Sequence, residues 1–164
     1  MTEDVKYDIY TTIEAALEEI AELKHVLKYN SQDIDVTQEQ QLNYPQAWLY
    51  FSSIEWKDNM QVGHQQNTTR EQKGNFEITV RIAQHSFEND NVSWKTDLSI
   101  FNTVYRKLAN LRGDNFTPLQ RKSENDDTTN DNVRIWNIVF TTMGTECGVS
   151  NNKTDAAPVK LTIN

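Results

Sequence analysis

Between Phe76 and Thr142 the hydrophobic period changes twice, and that succession limits what the chain can fold into. Residues 75–85 alternate strictly. Phe76, Ile78, Val80 and Ile82 point one way, and Glu77, Thr79 and Arg81 point the other, so the stretch reads as a strand with one face on a core. Residues 96–113 repeat at steps of three and four instead. Leu98, Phe101, Tyr105, Leu108 and Leu111, with Val104 beside them, form one helix stripe. Thr96 and Asp97 suit a helix start, Lys107 and Arg112 suit its end, and Gly113 offers a left-handed stop. Residues 116–121 read as a short or edge strand, because Pro118 has no N–H for a ladder. An acidic turn region, 123–132, follows. The period returns to two over 133–142, with Val133, Ile135 and Val139 on one face and Trp136, Ile138 and Phe140 on the other. Strands on both sides of an amphipathic helix make an α+β domain.

Upstream, Ile9, Ile13, Leu17, Ile20, Leu23 and Leu27 form a stripe that predicts a helix over 7–29, with Glu14, Glu18, Glu19 and Glu22 solvated. Residues 30–46 are polar and Gln-rich, and read as a linker ending in an extended Tyr44–Pro45 step. Residues 47–57 form a strand with Trp48, Tyr50, Ile54 and Trp56 on one face and Leu49 and Phe51 on the other. Residues 58–74, which include Gly63, His64 and Gly74, make a polar loop too long for an ordinary hairpin turn. From Met143 the pattern lapses. Residues 1–146 are expected to form one domain and 147–164 an arm. Within the arm, Val159-Lys160-Leu161-Thr162-Ile163 alternates, and such a segment on a tether can add to a sheet edge, its own or a neighbour's.

A chain of 164 residues can bury a real core, while a mean hydropathy of -0.74 demands a very polar surface. The net charge of -8 disfavours wrapping nucleic acid or binding an anionic membrane. Cys147 is the one cysteine, so no intrachain disulfide and no four-thiolate zinc site is possible. The acidic N-terminal residues lack a secretory apolar region, and no apolar run approaches membrane-spanning length; both suggest a cytoplasmic origin.

Residues that could carry chemistry have ordinary explanations. His25, His64 and His85 lack partners at ligand spacing. Asp126, Asp127 and Asp131 share one segment but lack the central Gly and the spacing of a calcium loop. Cys147 has no nearby His, no serine sits in a Gly-x-Ser-x-Gly context, and no Gly-rich phosphate loop is present. The expectation is a protein with no catalytic centre, metal or cofactor. The basic residues Arg106, Lys107, Arg112, Arg121 and Lys122 flank the central helix and the strand after it. They form either a solvated face or a contact for acidic groups of a neighbouring subunit.

The order of elements, with Phe76-Glu-Ile-Thr-Val-Arg-Ile-Ala, the helix ending Leu108-Ala-Asn-Leu-Arg-Gly, Phe116-Thr-Pro-Leu-Gln-Arg and Val133-Arg-Ile-Trp-Asn-Ile-Val-Phe-Thr-Thr, resembles small neck proteins of tailed bacteriophages. The group in question is the tail-terminator or tail-completion family, and the resemblance covers roughly residues 7–146. It implies a mostly antiparallel β-sheet packed by two helices, assembled as a ring, commonly of six subunits. Such a ring belongs to the neck of a virion assembled in a host cytoplasm. It caps the tail tube protein, meets the head-side connector and portal-complex proteins, and lets DNA pass through its lumen without specific binding. An acidic chain is compatible with that passage. On this reading Asn59, Gln61, His64 and Arg70 of the long loop, Arg106, Arg112 and Arg121, and Val159, Leu161 and Ile163 of the arm contact neighbours. Glu124, Asp126, Asp127 and Asp131 line the lumen or face a basic partner. Three alternatives stand beside it. One is an adaptor or stopper on the portal side. Another is a small acidic binding protein, such as an immunity protein or antirestriction factor, with a tight basic partner. The third is a metal-dependent enzyme, which divalent cations would stabilise.

Overall fold

The first stripe folds as a helix, α1 (Val5–Glu18). Asp4 caps it, its Oδ1 accepting from the Lys6 backbone N–H at 2.9 Å. Val5, Ile9, Ile13 and Leu17 are fully buried, which stabilises the helix by roughly 1.5–3 kcal/mol per side chain. The computed structural model describes residues 4–29, 44–58, 71–85, 91–127 and 133–147.

The helix stops well short of Leu27. Its last turn carries no basic residue, and continuing through Glu19 and Glu22 would gather negative charge where the helix dipole disfavours it. Ile20 is buried and Leu23 packs on the core without being helical. His25–Lys28 forms a strand instead, β1, paired in parallel with β2 (Gln46–Asp58) from His25↔Gln46 to Lys28↔Leu49. The Lys24 N–H leads into that pairing by donating to Pro45 O at 2.9 Å. The Tyr44–Pro45 peptide, expected as an extended step, is cis.

The clearest alternating segments become the long central strands β3 (Glu71–His85) and, later in the chain, β5 (Val133–Cys147). They pair antiparallel in register from Glu71↔Cys147 to His85↔Val133. Both outrun the sequence pattern. Gly74, expected in a loop, lies in β3 opposite Gly144, and β5 continues through Cys147, expected to begin the arm. Two glycines face each other there because the space is taken: a Cβ on Gly144 would lie 2.5 Å from Val5 Cγ2. Between these two in sequence, but at the edge of the sheet beyond β5, comes β4 (Gln120–Asp126), which pairs with β5. Part of the acidic segment is therefore strand, since Glu124 and Asp126 belong to β4. Strand order is β1-β2-β3-β5-β4, antiparallel except for β1 with β2.

The second helix, α2 (Asn91–Leu108), starts earlier than Thr96 and Asp97, since no Pro or Gly in 91–95 opposes it. Its left-handed stop is Asn110 (φ 65), not Gly113, which has a negative φ. Asn tolerates that conformation because its short side chain can bond locally. The Asn110 N–H then donates to Leu119 O at 3.1 Å, turning the chain back toward the sheet. Gly113 is needed for space: a Cβ there would lie 2.3 Å from Phe116 Cε1. Phe116 makes a single bridge to Gly144, so the stretch expected as a strand from 116 becomes β4 only from Gln120.

Both helices cover one sheet face. The main core joins Ile9, Ile13 and Leu17 of α1, Ile100, Phe101, Val104 and Leu108 of α2, and the inward residues Phe76, Ile78, Val80, Ile82, Ile138 and Phe140. Trp136 packs at its margin, stacked on Phe101 with ring centroids 5.0 Å apart. The other face is not simply solvated. Trp48, Ala83, Val133 and Ile135 form a second cluster with Tyr44, and Thr79 and Arg81, expected to face water, are buried there. A bulge between Phe51 and Ser53 changes the parity of β2. Trp48 and Tyr50 lie opposite Arg81 and Thr79, whereas Ile54 and Trp56 lie opposite Phe76 and Gly74, on the helix side. The expected single face of Trp48, Tyr50, Ile54 and Trp56 is thus divided between two.

Candidate assembly surface

Three of the five basic residues singled out in the sequence are engaged within the chain. Lys107 bonds Glu19, Lys122 bonds Glu77, and Arg121 pairs with Glu124 at 2.8 Å while its guanidinium lies 4.1 Å from the Tyr105 ring centroid. Arg121 therefore holds α2 against β4, a role its sequence neighbourhood does not reveal. Arg106 and Arg112 differ: both are exposed, and among the described residues neither has an ion-pair partner. They sit near the C-terminal end of α2, where cations are also favoured by the helix dipole.

The acidic residues take different positions. Glu124 answers Arg121, and Asp126 is exposed on the edge strand β4. Asp127 turns inward: its Oδ2 lies 2.9 Å from Arg81 Nη2 and accepts from Asn137 Nδ2 at 3.3 Å. Arg81 also faces the Tyr29 ring at 4.9 Å from its centroid, and Tyr29 in turn packs on Tyr50 at 4.9 Å. Asp127, expected at a lumen or partner surface, fastens the end of β4 to the middle of the outer face while its side chain stays 40% exposed. The alternating pattern missed this because burial of Arg81 depends on Tyr29 and Asp127, which lie far from it in sequence. Asn59, Gln61, His64, Arg70, Asp131, Val159, Leu161 and Ile163 lie outside the described residues.

The described surface offers two further features. A groove of about 370 Å³ opens on the outer face, with Glu55, Glu77, Pro118 and Met143 among its walls, and among the described residues no histidine, cysteine, lysine or arginine lines it. Tyr7 (68%) and Met143 (59%) are the most exposed large apolar side chains, with Leu27, Ile54 and Trp56 at 36–41%. Among the described residues, no three His, Cys, Asp or Glu side chains are grouped to hold a metal, and no helix is long and apolar enough to cross a membrane. What the geometry provides is a set of surfaces for protein contact: two sheet edges, a pair of exposed arginines and a scatter of exposed apolar side chains.

No protein-family model matches the sequence, and no curated protein does. Among solved structures, the chain is similar to one from the virion of a native gene transfer agent particle. The TM-score is 0.51 at 12% identity, covering 88% of this chain and 98% of that chain. The α+β arrangement of a mostly antiparallel sheet under two helices is thus a fold shared with a protein of that particle.

Proposed function

We propose that this protein is a structural component of a phage-like virion, and that within it the chain forms a ring in the neck. The ring ends the tail tube and joins it to the head-side connector, with DNA passing through the lumen. The observation that carries the reading is the fold likeness to a gene transfer agent virion chain, which spans nearly the whole of both chains. The exposed Arg106 and Arg112 add to it, because they are cations open to contact on an acidic protein. A ring made of head-to-tail contacts needs two unlike, complementary surfaces on each subunit. The role is that of a scaffold and conduit rather than a catalyst.

Light scattering over a concentration series, followed by negative-stain imaging with and without purified tail tubes, tests the reading. A discrete ring, alone or once tubes are added, is the expected result. A monomer or dimer that ignores tubes in both measurements would overturn it and favour a small acidic binding protein.

A further inference from the structure

β2 is 13 residues long, but β1 covers only the part from Gln46 to Leu49. From Tyr50 to Asp58 no described strand lies on the side away from β3. Among the described residues, the backbone donors and acceptors on that edge have no ladder partner. Its side chains are patterned as well. After the bulge, Ile54 and Trp56 lie on the helix side, each 36% exposed, while Glu55 is exposed on the outer side. The sheet also puts the C-terminal segment within reach. β5 ends at Cys147 opposite Glu71, and the neighbouring Gln72 lies opposite Asp58, so the chain leaves the sheet at the end where the open edge begins.

We propose that Val159–Ile163 pairs with this edge of β2 in its own chain, as a sixth strand antiparallel to β2. Val159, Leu161 and Ile163 share one parity, which matches Ile54 and Trp56 on the helix side. Lys160 falls on the opposite parity, beside the exposed Glu55. The connection fits. Reaching from β5 past β3 and β2 to the open edge is three strand spacings, about 14 Å. Residues 148–158 intervene; a coil of that length has a root-mean-square span of about 18 Å. A tether so closely matched to its span holds the segment at an effective concentration of about a millimolar, which favours its own edge over that of another copy in dilute solution. The strand forms whether or not rings do.

Residue-resolved amide hydrogen exchange on the full-length protein tests this, at two concentrations about tenfold apart. Leu161→Pro removes a ladder donor and disrupts pairing without touching the core, and a chain ending at Cys147 removes the segment altogether. Both changes are expected to speed exchange at least about tenfold at the edge-facing amides of Ser53–Asp58, while amides between β3 and β5 keep their protection. Protection in the full-length protein is expected to be independent of concentration. Unchanged exchange in both variants would overturn the proposal, since the edge would then be solvated or covered by another segment. So would protection that grows with concentration, which would assign the covering strand to a second copy.

Discussion

Single residues here are set by what the fold brings against them, and Tyr10 shows the consequence for pH. It lies on α1 and packs partly against the core. Burial raises its phenol pKa above the ordinary value near 10, and the charge of Glu14, which also bonds to the phenol, adds to the rise. The folded state therefore favours the neutral phenol. The unfolded chain loses that proton first, so Tyr10 costs nothing well below pH 10 and weakens the fold as the pH climbs past that point. Tyr10→Phe should leave urea midpoints near neutrality almost unchanged. Its midpoint should fall less than that of the wild type between about pH 8 and about pH 11. Parallel losses in the two proteins would exclude the effect. The glycines teach a related lesson: Gly113 and Gly144 serve by making room for Phe116 and Val5, although from sequence Gly113 looks like a conformational stop.

At the scale of elements, the stop of α2 is a place where conformation does decide. Asn110 holds φ at 65, and its N–H and the Leu119 N–H tie the helix end to the approach to β4. Asn110→Gly should be neutral to within about 0.5 kcal/mol, whereas Asn110→Val should cost about 1–2 kcal/mol, because a β-branched side chain is disfavoured in the left-handed region. Thermal or urea unfolding of the two variants measures the difference, and equal stabilities would show that the turn is not held there. Elements that announce themselves by local period were legible in the sequence. The stripe Ile9, Ile13 and Leu17, the alternation of Phe76 to Ile82 and the two faces of Val133–Phe140 all reappear. Features created by pairing were not. β1 has four residues and owes its existence to backbone bonds with β2. The bulge at Ser52 sits among ordinary residues, and its effect on Ile54 and Trp56 emerges only once β3 sets the register. Among the candidate contact residues, exposure of Arg106 could be anticipated from the helix stripe. The internal ties of Arg121 and Asp127 could not, because Tyr105 and Arg81 meet them only in the folded sheet.

For the whole molecule the deciding quantity is where the charge remains available. A net charge of -8 makes copies of the chain repel one another, so any assembly needs local attraction to overcome it. Lys107, Arg121 and Lys122 already spend theirs inside the fold, which leaves Arg106 and Arg112 as exposed cations near the end of α2. If the chain assembles as proposed, these two meet an acidic surface of the next subunit or of a neck partner. Reversing both, Arg106→Glu with Arg112→Glu, removes no buried contact and should cost only about 1–2 kcal/mol, from placing anions where the helix end favours cations. The same double variant should lose assembly on tail tubes. The wild type should assemble less well as salt rises from about 50 mM to about 500 mM, because screening shortens the reach of exposed charges. Sedimentation of rings or tube-bound protein across that salt range reads both effects. Assembly that ignores salt and survives the double reversal would move the interface away from α2, toward the apolar side chains and open strand edges of the sheet.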